Sequence, residues 1–139
     1  MNSVHKRIVF DTSSLVPACL HPDREPARDF RHAVLTHKVF TSPEAMQELF
    51  AVLSRPKFDA WRPLGQRIAW AKLYQAAVTT LEVEEKVRDC RDEKDNKFLA
   101  LALAAKADIL VSSDIHLLEL NPYKGIEIVR LQELKAAIY

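Results

Sequence analysis

The chain has 139 residues, of which 48% are hydrophobic, and its formal net charge at pH 7 is +1. This length suits one compact domain, and the apolar content excludes an intrinsically disordered chain. No apolar run approaches the ~20 residues that span a bilayer, and the near-neutral charge excludes a general attraction to nucleic acid.

The N-terminus and the cysteines indicate the compartment. Basic residues precede an apolar stretch at residues 8–10, as in a signal peptide, but Asp11 interrupts that stretch after three residues. Cys19 and Cys90 form neither a disulfide framework nor a CxxC motif. We therefore interpret residues 8–10 as a first strand, and we expect residues 1–139 to form a single cytoplasmic domain without a membrane partner.

The first part of the chain alternates strand and helix patterns. Residues 8–10 are continuously apolar, which is typical of a strand buried on both faces, and Asp11 can close that strand and cap a helix. Apolar spacing and turn residues predict the elements that follow: a first helix to about 20, a helix over 24–37, a strand over 38–41, a helix from Ser42 to about 53, a helix from 63 or 64 to about 78, and a strand over 79–83. In the fourth of these helices the expected buried side contains Ile68, Ala71, Leu73 and Ala76.

The stretch from Arg88 to Leu118, RDCRDEKDNKFLALALAAKADILVSSDIHLL, is the most informative. A dense polar run opens it, a helix-forming segment follows over 98–106, and residues 109–111 form a short buried strand. The chain then ends with an alternating strand over 126–129 and a helix over 131–139. The alternation of strands and helices predicts a three-layer α/β domain with a mostly parallel sheet.

Acidic side chains occupy corresponding places in these elements. Asp11 ends the first strand, Asp95 lies in the first turn of a helix, and Asp114 ends a later strand. In an open parallel sheet, ligands bind outside the carboxyl ends of the strands, so we expect these three acids to face one crevice. Glu48 is a fourth candidate, because it lies at the margin of an apolar helix face, where an acid needs a partner.

Crowded carboxylates indicate a particular chemistry. Like charges held together cost free energy unless a cation offsets them or some of the carboxylates hold protons. Hard divalent cations such as Mg²⁺ and Mn²⁺ take oxygen ligands from Asp and Glu. A bound metal lowers the pKa of water, orients it for in-line attack on a phosphodiester and neutralises charge in the transition state. The acids therefore predict metal-dependent hydrolysis of a phosphodiester.

Each acid also has a purely structural explanation. Asp11 can cap a helix, Asp92 and Asp95 resemble a capping pair, and Asp114 can be a turn residue. Glu48 can pair with Arg55 or with another helix. The functional interpretation is favoured because the acids lie at corresponding ends of successive elements.

Three segments resemble, in order, the PIN domain family: IVFDTSSLV, SPEAMQELFAVLSRPKF and RDEKDNKFLALALAAKADILVSSDIHLL. Within that family the chain is most similar to members described as toxin components of prokaryotic toxin–antitoxin pairs. The resemblance implies a metal-dependent ribonuclease with a Rossmann-like α/β/α fold, often homodimeric and often held inactive by a cognate antitoxin. It assigns catalytic and metal-binding roles to four acids, a weaker metal-binding role to a fifth and a supporting role to one serine: Asp11, Glu48, Asp95 and Asp114, then Asp92, then Ser13.

Two positions depart from the family pattern. Ser13 stands where the family commonly has Asn, so the chain keeps a hydroxyl that can bind metal-bound water or a neighbouring carboxylate but has no amide. His116 stands where relatives often have an acid, so one outer ligand is missing. His116 can contact phosphate instead, or it is an incidental surface histidine. Neither change removes one of the four acids.

Basic and aromatic residues near the acids are candidates for binding RNA. Five cations can hold phosphates or simply form a solvated face that balances the acids: Arg55, Lys57, Arg91, Lys94 and Lys97. Trp61 is the better candidate for an exposed residue that stacks on unpaired bases. Trp70 lies in a helical apolar pattern, so we expect it in the core or in a dimer contact.

Other classes of protein fit less well. A catalytically weak PIN-fold module that binds RNA or protein is the alternative, and the intact set of four acids argues against it. An acyl-phosphate phosphatase needs a second Asp two residues after Asp11, where this chain has Ser13, and a receiver domain needs an acid pair before its phosphorylated Asp. With only Gly65 and Gly125, the chain has no glycine-rich phosphate loop, which excludes a dinucleotide-binding enzyme.

Overall fold

The computed structural model describes residues 5–138, which contain a five-stranded parallel sheet with helices on both faces. The strands are β1 (Arg7–Phe10), β2 (Lys38–Thr41), β3 (Thr79–Thr80), β4 (Ile109–Val111) and β5 (Glu127–Val129). The helices are α1 (Thr12–Leu20), α2 (Glu25–Thr36), α3 (Pro43–Leu53), α4 (Leu64–Ala77), α5 (Asn96–Ala104), α6 (Ile115–Leu118) and α7 (Leu134–Ile138). Short 3₁₀ turns lie at Pro56–Ala60, Glu93–Asp95 and Leu131–Glu133.

The order of the strands determines where a ligand can bind. The sheet runs β3-β2-β1-β4-β5, so the chain starts at the centre, adds β2 and β3 on one side and then crosses to the other side. Phe10 at the end of β1 pairs with Val111 at the end of β4. The direction of strand addition reverses between these two strands. In an open parallel sheet this reversal opens a crevice beyond the carboxyl ends of the strands.

The sheet divides the apolar core into two layers. Successive residues of a strand point to opposite faces. Ile8 and Phe10 pack with the helices α1–α4 and α7, whereas Val9 packs with α5 and α6. The three-layer α/β architecture expected from the sequence is therefore confirmed.

Local sequence accounts for the main helix starts. The Asp11 carboxylate accepts a hydrogen bond from the backbone N–H of Ser14 at the start of α1. The Ser42 hydroxyl does the same for Ala45 at the start of α3, in which Pro43 is the first residue. These caps place the first turns of α1 and α3 directly after β1 and β2.

The structure corrects some details of the predicted elements. The third strand covers only Thr79–Thr80 and is exposed, rather than extending over 79–83. In α4 the prediction that Leu73 lies on the buried side is wrong, because this side chain is 71% exposed, and Ala76 is exposed as well. Arg67 occupies the buried face instead. Residues 1–4 and 139, which the single-domain prediction includes, lie outside the described residues.

Residues 5–138 contain no helix that is both long enough and apolar enough to cross a lipid bilayer.

Candidate active site

A cleft of about 380 Å³ opens beyond the carboxyl ends of β1 and β4. Its lining includes all four acids selected from the sequence: Asp11, Glu48, Asp95 and Asp114. Their elements are far apart in the chain, since Asp11 follows β1, Glu48 lies on α3, and Asp114 follows β4. The fold thus brings the predicted acids together where the strand order reverses.

Asp11 is the most completely enclosed of these acids, with 1% of its surface exposed. Its two carboxylate oxygens accept hydrogen bonds from the Ser13 hydroxyl at 2.8 and 2.9 Å and from the Ser112 hydroxyl at 2.5 Å. Burial raises the pKa of Asp11 to about 6, although the hydrogen bonds from Ser112, Ser13 and Ser14 act in the opposite direction. Asp11 therefore caps α1 and also presents a desolvated carboxylate to the cleft.

Asp95 is buried at the junction between the 3₁₀ turn and α5, with 5% of its surface exposed. Its side chain makes no capping hydrogen bond, and neither does that of Asp92, so the structure does not support the capping-pair explanation. Within the described part of the chain, no hydrogen-bond donor reaches the buried Oδ2 atom of Asp95. A buried oxygen without a donor is unfavourable unless something else binds it.

Three carboxylates crowd together at this point. One oxygen from each of Asp92, Asp95 and Asp114 lies within 4.8 Å of the other two. Burial, hydrogen bonding with Asp114 and the like charges of Asp114, Asp92 and Asp11 together raise the pKa of Asp95 to about 7. Burial opposes ionisation of Asp114 too, but hydrogen bonding with Asp95 and with the His116 backbone N–H gives Asp114 a net lowered pKa.

The donor set suits a hard divalent cation. The cluster offers only carboxylate oxygens, which are the ligands that Mg²⁺ and Mn²⁺ prefer. A cation at this point would bind the Oδ2 atom of Asp95 and offset the repulsion among the three acids. Both observations are independent of any assignment of function, and together they show that the residues present fit such an ion.

Glu48 lines the same cleft but has partners from the protein. Its carboxylate accepts hydrogen bonds from the Thr12 hydroxyl and from Nζ of Lys97, the latter at 2.8 Å. The sequence suggested Arg55 or another helix as the partner, and the structure shows the second of these, because Lys97 lies on α5. Glu48 thus reaches the cleft in a fixed orientation, opposite the crowded acids.

Serines at the end of β4 are the part of the site that the sequence analysis did not identify. The Ser112 hydroxyl donates to Asp11 and accepts the backbone N–H of Asp114 at 2.9 Å, so it connects two of the acids. The Ser13 hydroxyl, expected to bind a neighbouring carboxylate, does so and also accepts the backbone N–H of Ser113 at 3.0 Å. The sequence signal for this contact was the pair Ser112-Ser113, which lies directly between the buried strand β4 and Asp114.

The five basic residues that the sequence suggested for RNA binding fall into two groups, according to whether they line the cleft. Arg55 and Lys94 line the cleft. The other three lie outside that lining: Lys97 is bound to Glu48, Nε of Arg91 is 3.6 Å from Glu119, and Nζ of Lys57 lies over the Phe58 ring. Trp61 is 54% exposed, as expected, whereas Trp70 stacks on Phe30 and Tyr74 at the edge of the core.

Comparisons with known proteins match the region that forms the cleft. The family model described as "PIN domain" matches residues 7–116, a span that contains the four cleft acids. "Uncharacterized protein MJ1680" of Methanocaldococcus jannaschii is 26% identical over 140 residues, which cover 95% of this chain and 88% of that protein.

Proposed function

The chain belongs to the PIN domain family, whose members are in general nucleases that act on RNA with divalent metals, and from this premise we propose that it is a metal-dependent endoribonuclease. The observation that carries the proposal is the cluster of Asp92, Asp95 and Asp114 with its unsatisfied Oδ2 atom. Asp95 and Asp114 of this cluster line the cleft, as do Asp11 and Glu48. An arrangement with so much unfavourable repulsion is typical of a functional site.

We propose Mg²⁺ or Mn²⁺ as the ion, held by the cluster of Asp92, Asp95 and Asp114, with Asp11 and Glu48 as further carboxylates in the lining of the cleft. When bound, such an ion supplies an activated water and neutralises the charge that develops on a phosphodiester during hydrolysis. Oxygen ligands and a crowded negative charge favour this class of ion over softer metals.

The remaining residues hold the acids and the substrate. Hydroxyls of Ser13 and Ser112 keep the Asp11 carboxylate in one orientation, and Thr12 and Lys97 do so for Glu48. Arg55 is placed to contact a phosphate of the RNA, because it lines the cleft and is exposed. Lys94 lines the cleft as well, and its Nζ atom lies 3.7 Å from the Asp92 carboxylate. It is therefore placed to contact both this acid and a phosphate of the RNA.

The likeness to toxin members of the family supports a narrower role. We propose that the chain is the toxin of a prokaryotic toxin–antitoxin pair, that it acts in the cytoplasm as a homodimer, and that a cognate antitoxin inhibits it. Exposed apolar side chains on α4 and α2 offer surface for such contacts, since Leu73 and Leu35 are both largely exposed.

The test is a cleavage assay on a mixed single-stranded RNA pool with Mn²⁺ or with EDTA. We expect cleavage in Mn²⁺, none in EDTA, and none with Asp11→Asn. The matched control is Glu127→Gln, which neutralises an exposed acid on β5 outside the cleft and should cleave normally. Absence of both cleavage and metal-dependent thermal stabilisation would contradict the proposal and favour a PIN-fold module that binds RNA or protein.

A further inference from the structure

A pair of aromatic rings, the exposed Trp61 and the half-buried His21, lies at the far end of α1 from Asp11. Trp61 is 54% exposed, and the His21 ring packs edge-on against it, with ring centroids 5.3 Å apart and an angle of 65° between the planes. A large indole left open to solvent is a favourable surface for another flat ring. No role in the acid cleft has been assigned to either residue.

His21, one ring of the aromatic pair, lines a pocket that shares residues with the acid cleft. A second pocket of about 140 Å³ has His21 and Arg24 in its lining, together with Ser13 and Pro17, which also line the acid cleft. Helix α1 runs along this surface. Its nine residues span about 14 Å at a rise of about 1.5 Å per residue, and this length separates Asp11 at its start from His21 at its end.

The segment that presents Trp61 is held rigidly. Arg67 is fully buried, and its guanidinium donates to the carbonyl oxygens of Leu53 and Arg62 and, at 2.9 Å, to the Asp59 carboxylate. Arg62 in turn donates to the Cys19 carbonyl at 2.7 Å, which ties this turn to the end of α1. A ring fixed in this way loses little conformational entropy when a ligand stacks on it.

Arginine side chains lie at the same place, interspersed with acids. Arg28 and Arg31 donate to the carbonyl oxygens of Asp23 and Pro22, which holds both guanidiniums at the turn after α1, and Arg24 lines the pocket. A guanidinium has five N–H donors, so these contacts leave others for phosphate oxygens. The acids of the same two segments are Asp23, Glu25, Asp29 and Asp59, of which Asp59 is paired with Arg67.

From this arrangement we infer that Trp61 and His21 form a stacking site for an unpaired base of the RNA strand whose cut phosphate lies at the acid cleft. The inference rests on the proposed function and names the substrate class, which is single-stranded RNA. A base can stack on Trp61 only when it is free of pairing and of its own neighbours. Because α1 separates the two places, the stacked base belongs to a nucleotide further along the strand than the one that is cut.

RNA is the occupant that the observations favour over a protein. His21, against which Trp61 packs, lines a pocket that shares Ser13 and Pro17 with the acid cleft, and arginines lie beside it. A partner protein would have no need of this shared lining. The exposed apolar side chains Leu35 and Leu73 lie on α2 and α4 without such a connection.

Tryptophan fluorescence provides the test, because Trp61 and Trp70 are the only two tryptophans. In EDTA, the Trp70→Phe protein is titrated with a short single-stranded oligoribonucleotide and with the duplex of the same sequence. We expect the single strand to quench Trp61 and the duplex to have a much smaller effect. If Trp70→Phe does not fold, the difference between the wild-type protein and Trp61→Phe gives the same signal.

The binding constant gives the second readout. Trp61→Ala should weaken binding of the single strand between about 5- and 150-fold, the loss expected for one base–aromatic stack. Trp61→Phe should restore most of the affinity, and Gln75→Ala, an exposed control on α4, should leave it at the wild-type value. Absence of quenching, or an unchanged Kd for Trp61→Ala, would overturn the inference.

The two proposals fail separately. Quenching in EDTA without any metal-dependent cleavage would keep the stacking site and reject the nuclease. Cleavage in Mn²⁺ by a Trp61→Ala protein with unchanged affinity would keep the nuclease and reject the stacking site. A change in Trp61 emission on concentrating the protein without RNA, with a matching rise in sedimentation coefficient, would assign this surface to a second copy and reject the inference.

Discussion

Two buried charged side chains have opposite surroundings. Arg67 on α4 is fully buried, and its guanidinium donates to three backbone carbonyls and one carboxylate. Asp95 before α5 is almost as deeply buried, yet its neighbours are other acids and, among residues 5–138, its Oδ2 atom has no donor. Both side chains are removed from water, but Arg67 donates to acceptors around it, whereas Asp95 faces carboxylates of the same charge.

This difference separates a structural charge from a functional one. A buried charge with a full set of partners stabilises one arrangement of the backbone, here the turn at Pro56–Ala60. A buried charge crowded by like charges destabilises the protein until a ligand arrives, so its presence points to function. The predictions below test this contrast, beginning with the largest expected effect.

Asp95→Asn should reduce RNA cleavage about a thousandfold or more, which is the upper range for loss of one group that stabilises transition-state charge. The metal-free protein should be no less stable, because the change removes one of several crowded charges and nearly preserves shape. Cleavage of labelled RNA and urea unfolding in EDTA measure the two effects. Full activity would contradict the assignment, and a strongly destabilised variant would indicate a capping role instead.

Arg67→Met should lower the free energy of unfolding by about 3 kcal/mol, because three carbonyls lose their donor inside the protein. Urea denaturation measures this loss. Arg91→Met is the control, since that side chain is largely exposed and its contact with Glu119 is long. A loss for Arg67→Met as small as that for Arg91→Met would show that Arg67 does not hold the turn.

Mg²⁺ should stabilise the protein, because an ion that binds only the folded state shifts the equilibrium. At a concentration one hundred times its Kd, the gain is about 2.7 kcal/mol. Thermal unfolding with Mg²⁺ and with EDTA measures it, and Asp114→Asn should lose most of the gain. An equal gain in that variant would locate the ion elsewhere.

Without metal, the stability of the protein should depend on pH. Asp11 and Asp95 have folded-state pKa values of about 6 and about 7, above the ordinary value of 3.8. Raised carboxyl pKa values mean that the folded state binds more protons than the unfolded state between these limits. Their contribution to stability is therefore complete below about pH 4 and falls as the pH rises toward about 7.

Comparison of variants isolates this contribution from other titrating groups. Urea unfolding in EDTA at several pH values should show a shallower fall for Asp95→Asn than for the wild-type protein. Because the pKa of Asp114 is lowered, its effect on stability is confined to pH values below about 4 and does not change the fall between about pH 4 and 7. Parallel profiles for both proteins would show that Asp95 ionises in the folded state as it does in the unfolded chain.

Much of the site could be predicted because the relevant signals are local. Asp11 and Asp114 each follow a buried apolar run, and in a parallel sheet such positions share an edge. Arg67 could not be predicted, because an arginine in an amphipathic helix pattern normally points to water. Its burial depends on carbonyls at Leu53, Arg55 and Arg62, whose positions exist only after the turn at Pro56–Ala60 has packed.

The sequence by itself determined the alternation of strands and helices, the acids at the strand ends and the resemblance to the PIN domain family. Each of these depends on residues close together in the chain, where periodicity and capping act. Only the tertiary structure decided that Lys97 holds Glu48, that Ser112 joins Asp11 to Asp114, and that His21 meets Trp61. Lys97 and Glu48, Ser112 and Asp11, and His21 and Trp61 lie far apart in sequence, so these contacts depend on how the helices pack against the sheet.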